Sequence, residues 1–411
     1  MVFSSSISFL VLYIFIAVSF GFPVNSLETK NHQSVNQTFR SAQQLHKLKK
    51  MIATRLQQIN KPAIKTIQSP DGDIIDCVLN HKQPAFDHPL LKGQKPMDPP
   101  ESLRRQHQIE NTSDHFQIWS LSGESCPDGS IPIRRITEED MLRAYSINSF
   151  GRKFDDPYVH EYVVVSEKND KFHGGEGTFN VWQPYIENER EFSLAQMWLV
   201  AGTSGKDLNS IEIGWQVYPH LYGDYRTRFF IYWTADDYKK TGCYNLVCSG
   251  FVQTNKNYAI GGAINQISTY NGVQYSMNLK VLKHNYTGHW WLVAGPGAGT
   301  LIGYWPSNLF THLKSAADEV NFGGEIVNIK TTGSHTSTAM GSGNFPDEGF
   351  RKAAYIRNLQ VIDGDNNLKP FKNPKYGLTN FFCYSILQGN TNPKWGYHIY
   401  FGGHGRGYNC R

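Results

Sequence analysis

From about Asp155 to the C-terminus, short runs rich in Val, Ile, Trp, Tyr and Phe recur between turns built from Gly, Asn and Pro. Phe229–Thr234, Gly250–Gln253, Trp290–Ala294 and Tyr397–Phe401 are examples. Punctuation this frequent leaves no room for long helices and calls for an antiparallel sandwich or barrel. One short helix is expected near His312 to Val320, and no repeat period is evident. Gly295-Pro296-Gly297-Ala298-Gly299 resembles a phosphate loop but runs into Leu301–Trp305, a strand, so a β-turn is the better reading. The first half differs. Between Arg40 and Ile59 the apolar positions Leu45, Leu48, Met51, Ile52, Leu56 and Ile59 recur every three or four residues, which predicts an amphipathic helix ended by Pro62. The charged stretch Arg134 to Lys153 reads as a helix flanked by a basic, protease-accessible linker. The expected class is mainly β: an antiparallel β-sandwich preceded by a smaller α+β region.

Ile7–Phe22 is apolar and uncharged, and Val24-Asn25-Ser26 supplies small residues after it, the pattern of a secretory signal peptide. At about 16 residues the run is shorter than the roughly 20 needed to span a bilayer. A secreted chain, apoplastic or vacuolar, with no membrane segment after signal removal is therefore expected. Its six cysteines then form three disulfides. The pairing 77–126, 243–248 and 383–410 keeps each bridge within one region, although fifteen connectivities are possible. Asn36, Asn111 and Asn285 head glycosylation sequons. Forty basic against 35 acidic residues give a net charge of +5 with no basic stripe, which argues against nucleic acid as partner.

Several chemistries fail on spacing. His160-Glu161 opens like a zinc-protease motif, but Val164 stands where the second histidine is needed, and no G-x-S-x-G elbow occurs. Neither a metal nor another cofactor is indicated. Carboxylates within apolar strands are more informative, because such a group must be paired, solvated or functional. In Ile211–Tyr218, alternation sets Ile211, Ile213, Trp215 and Val217 on one face and Glu212, Gly214, Gln216 and Tyr218 on the other. Glu325 follows two glycines in Asn321–Ile329. Pattern alone leaves each acid equally compatible with a solvated position.

The chain resembles the neprosin family of plant proteins over nearly its whole length after the signal segment. The first half carries Asn60-Lys61-Pro62-Ala63, Asp71–Val78, Gln83–Phe86 and Ile131–Arg135. The second carries Val181-Trp182-Gln183-Pro184, Ile211–Trp215, Leu221–Asp224, Tyr232–Asp236, Thr241–Leu246, Gly303–Pro306, Gly323-Gly324-Glu325 and Met340–Gly343. Gln266 and His404 stand where the family more usually has proline. The chain thus reads as a signal peptide (1–26), an activation region with basic linker (27–153) and a second domain (154–411), and the resemblance implies that the activation region is an intramolecular inhibitor and the second domain a glutamic peptidase. It also implies Glu212 and Glu325 as catalytic pair and a peptide or protein substrate cleaved after proline. Gln196, Gln216 and Tyr218 are candidate hydrogen-bond donors, and Trp182, Trp198 and Trp215 candidate walls of a proline pocket. A carbohydrate-active enzyme and a non-catalytic binding protein are the rival readings, since two carboxylates on a sandwich also describe glycosidases.

Overall fold

Alternation along the strands sorts side chains between a shared interior and two outer faces, and a computed structural model shows the result for residues 42–106, 116–153, 158–330 and 333–411. The expected signal peptide, the sequons at Asn36 and Asn111, and residues 154–157 lie outside the described residues. Asn285 is exposed.

Helix α1 (Ala42–Ile59) forms where the periodicity predicts it. Its buried face is Ile52 and Ile59, with Leu48 and Leu56 half-buried, whereas Leu45 and Met51 face solvent. Strands β1 (Ala63–Gln68), β2 (Ile74–Leu79) and β3 (Ser130–Arg134) form a three-stranded antiparallel sheet. Helices α2 (Glu101–Gln106) and α3 (Glu138–Arg143) follow β2 and β3, and Thr137 closes a capping box with Asp140 at the start of α3.

A six-stranded antiparallel sheet contains β4 (Val159–Phe172), β6 (Ser193–Ala201), β7 (Asn209–Val217), β8 (Arg228–Thr234), β13 (Ala317–Asn328) and β17 (Lys375–Leu378), in the order β17-β4-β13-β6-β7-β8. The larger sheet takes β5 (Gly174–Asn180), β9 (Val252–Gln253), β10 (Ser276–Lys283), β11 (Trp290–Gly295), β12 (Thr300–Trp305), β14 (Met340–Gly341), β15 (Ala354–Ile362) and β19 (Ile399–Gly403). Two short strands, β16 (Leu368–Pro370) and β18 (Ser385–Gln388), join its flanks. Val163, Met197, Ile213 and Trp215 of one sheet pack with Phe179, Leu279 and Ile356 of the other in one core. The sheets approach closely: a Cβ on Gly175 would lie 2.8 Å from Val320 Cγ1. This is a sandwich.

Two expectations need correction. The segment near His312 to Val320 is not a helix. Turns carry it into β13, which begins at Ala317 and has a bulge between Ala317 and Glu319. The extra residue breaks the two-residue alternation that marks a strand. Likewise, Arg134-Arg135 is not an exposed linker. Arg134 ends β3 and its Nε donates to Asp73 at 2.8 Å, while Arg135 Nε donates to Asp76 at 2.7 Å. The charged stretch contains only the six residues of α3 as helix.

Asp73 also accepts from Arg228 Nη1 at 2.6 Å, and Arg228 Nη2 donates to Asp224 at 2.7 Å. Arg134 reaches Asp140 at 3.1 Å, and both guanidiniums lie against the Tyr222 ring, 5.7 and 4.8 Å from its centre. This buried network joins residues of the first half to β8. Burial pushes the Asp73 carboxyl up, yet Arg228 and Arg134 outweigh it and hold it below its usual range.

All three bridges pair as the local arrangement requires, Cys77–Cys126, Cys243–Cys248 and Cys383–Cys410. Among the described residues no helix is long and apolar enough to cross a membrane.

Candidate active site

The outward face of the six-stranded sheet carries the two nominated acids. Cross-strand register places Tyr162, Glu325, Leu194, Gln216 and Arg228 in one row, and Lys375, Ser166, Asn321, Trp198, Glu212 and Tyr232 in another. Between these rows runs a third: Gly377, Val164, Gly323, Gln196, Gly214 and Phe230. Glu212 and Glu325 are thus two strands apart across the sheet and four residues apart along it. Backbones so placed are separated by about 10 Å in one direction and about 13 Å in the other, and only side chains leaning toward each other can meet. The floor between them is Gly323-Gln196-Gly214, one long side chain flanked by two glycines.

Those glycines answer a tighter demand than room for a ligand. A Cβ on Gly214 would lie 2.0 Å from the Ala195 carbonyl oxygen, and one on Gly323 2.0 Å from that of Val163. Neighbouring backbone excludes any side chain there, and the low floor is a consequence.

Both carboxylates are almost fully buried, and both point at the same cation. Lys153 Nζ donates to Glu212 Oε2 at 2.6 Å and stands 3.9 Å from Glu325 Oε2. The other Glu212 oxygen accepts from Ser210 Oγ at 2.8 Å and from the Tyr238 hydroxyl at 2.7 Å. Glu325 accepts from Gln196 Nε2 at 3.2 Å, pairs with His160 Nδ1 at 2.7 Å and is hydrogen-bonded by Tyr162. Burial raises the Glu325 carboxyl, but Lys153, His160 and Tyr162 together bring it below its usual value. Burial lowers the Lys153 ammonium, and the two glutamates reverse that and carry it well above the lysine norm.

Lys153 arrives on a strap, residues 144–153, that roofs one arm of the cleft. Its backbone N–H donates to the Tyr232 hydroxyl at 3.1 Å, and Gly151 accepts from Tyr244 N–H at 2.7 Å. Beneath the strap lies a small cavity walled by Tyr145, Phe150, Phe192, Tyr218, His220 and Tyr244 among others. Burial, with help from Arg190 and Arg143, depresses the His220 imidazole to about 4.

Of the other residues nominated from sequence, Gln196 reaches the site directly. Gln216 donates instead to the Tyr222 hydroxyl at 2.8 Å, and Tyr218 lines the roofed cavity. Trp198 sits in the Glu212 row, whereas Trp215 and Trp182 belong to the core between the sheets. Sequence reasoning missed Lys153, His160, Tyr162, Ser210 and Tyr238. Ser210 shares the face of Glu212 two residues away, so alternation could have found it. His160 and Tyr162 share a face of β4, but only the register with Glu325 reveals their place. His160-Glu161 does part as strand neighbours must: Glu161 turns away to His335 Nε2 at 2.6 Å. The one metal-like grouping among the described residues, His335 with Cys383 and Cys410, has both sulfurs in a disulfide and so offers no thiolate.

Comparison with known proteins gives two family matches. Residues 189–404 match the family described as Neprosin, and residues 66–176 match the Neprosin activation peptide, a span that runs through Lys153. Among solved structures, scytalido-glutamic peptidase with a peptide-based transition-state analogue is 9% identical at a TM-score of 0.33, covering 60% of this chain and 99% of that one. The same enzyme with another transition-state analogue inhibitor gives 10% and 0.34 with the same coverage, and an Eqolisin-family peptidase in complex with the tripeptide Ala-Ile-His gives 8% and 0.32. The catalytic-region match alone spans more than half of the chain, and the chain therefore belongs to the neprosin family.

Proposed function

We propose that the protein is a secreted glutamic endopeptidase, made as a precursor, that cleaves peptides after proline in acid with Glu212 and Glu325 as its catalytic pair. The observation that carries this reading is the shared ammonium: both buried carboxylates contact Lys153 Nζ, so a group the size of a water molecule fits between them. Once the strap leaves, two acids this close hold one proton between them. The ionised member takes a proton from water, and the water oxygen bonds to the scissile carbonyl carbon as its C=O π pair moves onto oxygen. The protonated member donates to that oxygen. Collapse of the tetrahedral intermediate breaks the C–N bond, and the amine leaves with a proton returned by the pair. Gln196 and Tyr162 hold Glu325, and Ser210 and Tyr238 hold Glu212, so neither acid has to be oriented during the reaction.

Secretion accords with the leader-like N-terminus, and the proline preference rests on the family. Digestion of a peptide library at about pH 4, near ordinary carboxyl pKa values, with cleavage sites read by mass spectrometry, tests both peptidase activity and preference. Turnover of a polysaccharide panel with intact peptides would replace the reading with a glycosidase one. Glu212→Gln and Glu325→Gln should each abolish nearly all peptide turnover, with the double variant scarcely worse, since groups acting as one unit are not additive.

A further inference from the structure

The cleft has two arms, and the strap roofs only one. On the far side of the pair lies an open trough walled by Tyr162, Trp198, Asn321, Lys168, Glu319 and Lys375 among others. Its lining comes entirely from residues 162 to 377, so no residue of the strap touches it. Its floor is the Glu212 row itself: Trp198 pairs directly with Glu212, then Asn321, Ser166 and Lys375 continue the row to the edge strand β17. Four strand spacings give a trough of about 19 Å, the length of about six extended residues.

We infer that this open arm is a preformed subsite groove for the substrate chain on one side of the scissile bond, selective for aromatic and uncharged side chains over lysine and arginine. The inference rests on the peptidase reading above. Adjacency to the carboxylate pair names the occupant: Trp198 stands beside Glu212 and Tyr162 bonds Glu325, so a peptide whose scissile carbonyl sits at Glu212 has no other floor in that direction. The walls name its chemistry. Tyr162 and Trp198 flank the inner end, giving flat apolar faces for rings. Beyond them the Ser166 hydroxyl is already bonded to Asn321, so the middle of the floor is polar but neutral. Charge is unbalanced. Lys168 and Glu319 pair at 2.8 Å, while Lys375 adds an exposed positive charge at the outer end. A basic substrate side chain there meets like charge at close range, and an acidic or neutral one does not.

The test takes the shortest peptide that the mature protein cleaves and extends it by about six residues, the length of the groove, at either end. Neutral aromatic-containing extensions at one end should raise kcat/KM by about tenfold, mostly through KM, as one or two well-placed side chains would. Lysine in that extension should forfeit most of the gain, and Lys375→Glu should make the lysine peptide the better of the two. The groove is overturned if extension at neither end helps, or if Lys375→Glu changes core and extended peptides by the same factor. Trp198→Ala is less decisive, since that indole also packs in the sheet, and Lys375→Glu, at an exposed edge position, keeps the question open to refutation should Trp198→Ala misfold. Cleavage of the core peptide with no benefit from extension sinks the groove and leaves the peptidase reading standing. No peptide cleavage at all sinks both.

Discussion

Lys153→Met isolates what the shared ammonium does, because methionine keeps much of the buried stem and deletes the charge. In the precursor that charge stands 2.6 Å from one carboxylate oxygen and 3.9 Å from another, with its side chain only 13% exposed. Removing one partner from a buried ion pair costs about 3–5 kcal/mol, chiefly for the charges left behind. Two glutamates left alone recover part of that by binding a proton, so the penalty is largest near neutral pH and shrinks in acid. The direction follows from linkage. The Glu325 carboxyl is held low in the folded precursor, so its contribution is present above the unfolded carboxyl pKa and is lost as pH falls through the lowered value. Lys153, raised well above its norm, stays charged throughout this range. Acid therefore opens the strap by protonating carboxylates. His220 pushes the same way: neutral in its site until about pH 4, it gains a proton more readily once the strap, whose Tyr145 ring centre lies 4.4 Å from its own, has lifted. Without the ammonium less acid is needed, and precursor conversion, followed on gels across a pH series, should move up by about one to three pH units. The precursor's urea midpoint at neutral pH should fall in parallel. If both midpoints stay where they are in the parent, the ammonium does not hold the strap and the reasoning fails.

Asp73→Asn should destabilise the precursor by about 3–5 kcal/mol, because it leaves Arg228 and Arg134 sharing too few buried anions; a urea transition unmoved from the parent would contradict this. Gly214→Ala should cost most of the folded yield, since its Cβ would press on the Ala195 carbonyl at 2.0 Å. Folded, fully active G214A protein on circular dichroism and peptide assay would show that β6 and β7 can part there at little cost.

The sandwich was legible because its interior strands alternate cleanly, as Ile211, Ile213 and Trp215 do against Glu212 and Gly214. It became illegible where a bulge interrupts the alternation, and so the start of β13 read as a helix. The acids were visible as charges inside apolar strands, but their pairing needed the register of β13, β6 and β7, which no local pattern encodes. Lys153 was invisible for the same reason. In sequence it is one more basic residue in a charged stretch, and only the path of residues 144–153 over the cleft makes it the partner of carboxylates 59 and 172 positions away. Arg134-Arg135 failed in the opposite sense: a dibasic pair suggests a cutting site until its aspartates are seen.

The disulfides decide what kind of inhibitor the first half becomes. One bridge lies wholly before Lys153 and two lie wholly after it, so no covalent link besides the backbone joins the two halves. While the chain is whole, the strap faces the cleft at the effective concentration of a short tether, on the order of millimolar, whatever the protein concentration outside. A single backbone cut after Lys153 converts that fixed number into an ordinary binding equilibrium. From then on the fraction of free sites depends on volume: dilution into a large compartment releases the enzyme, and confinement in a small one lets the severed half return.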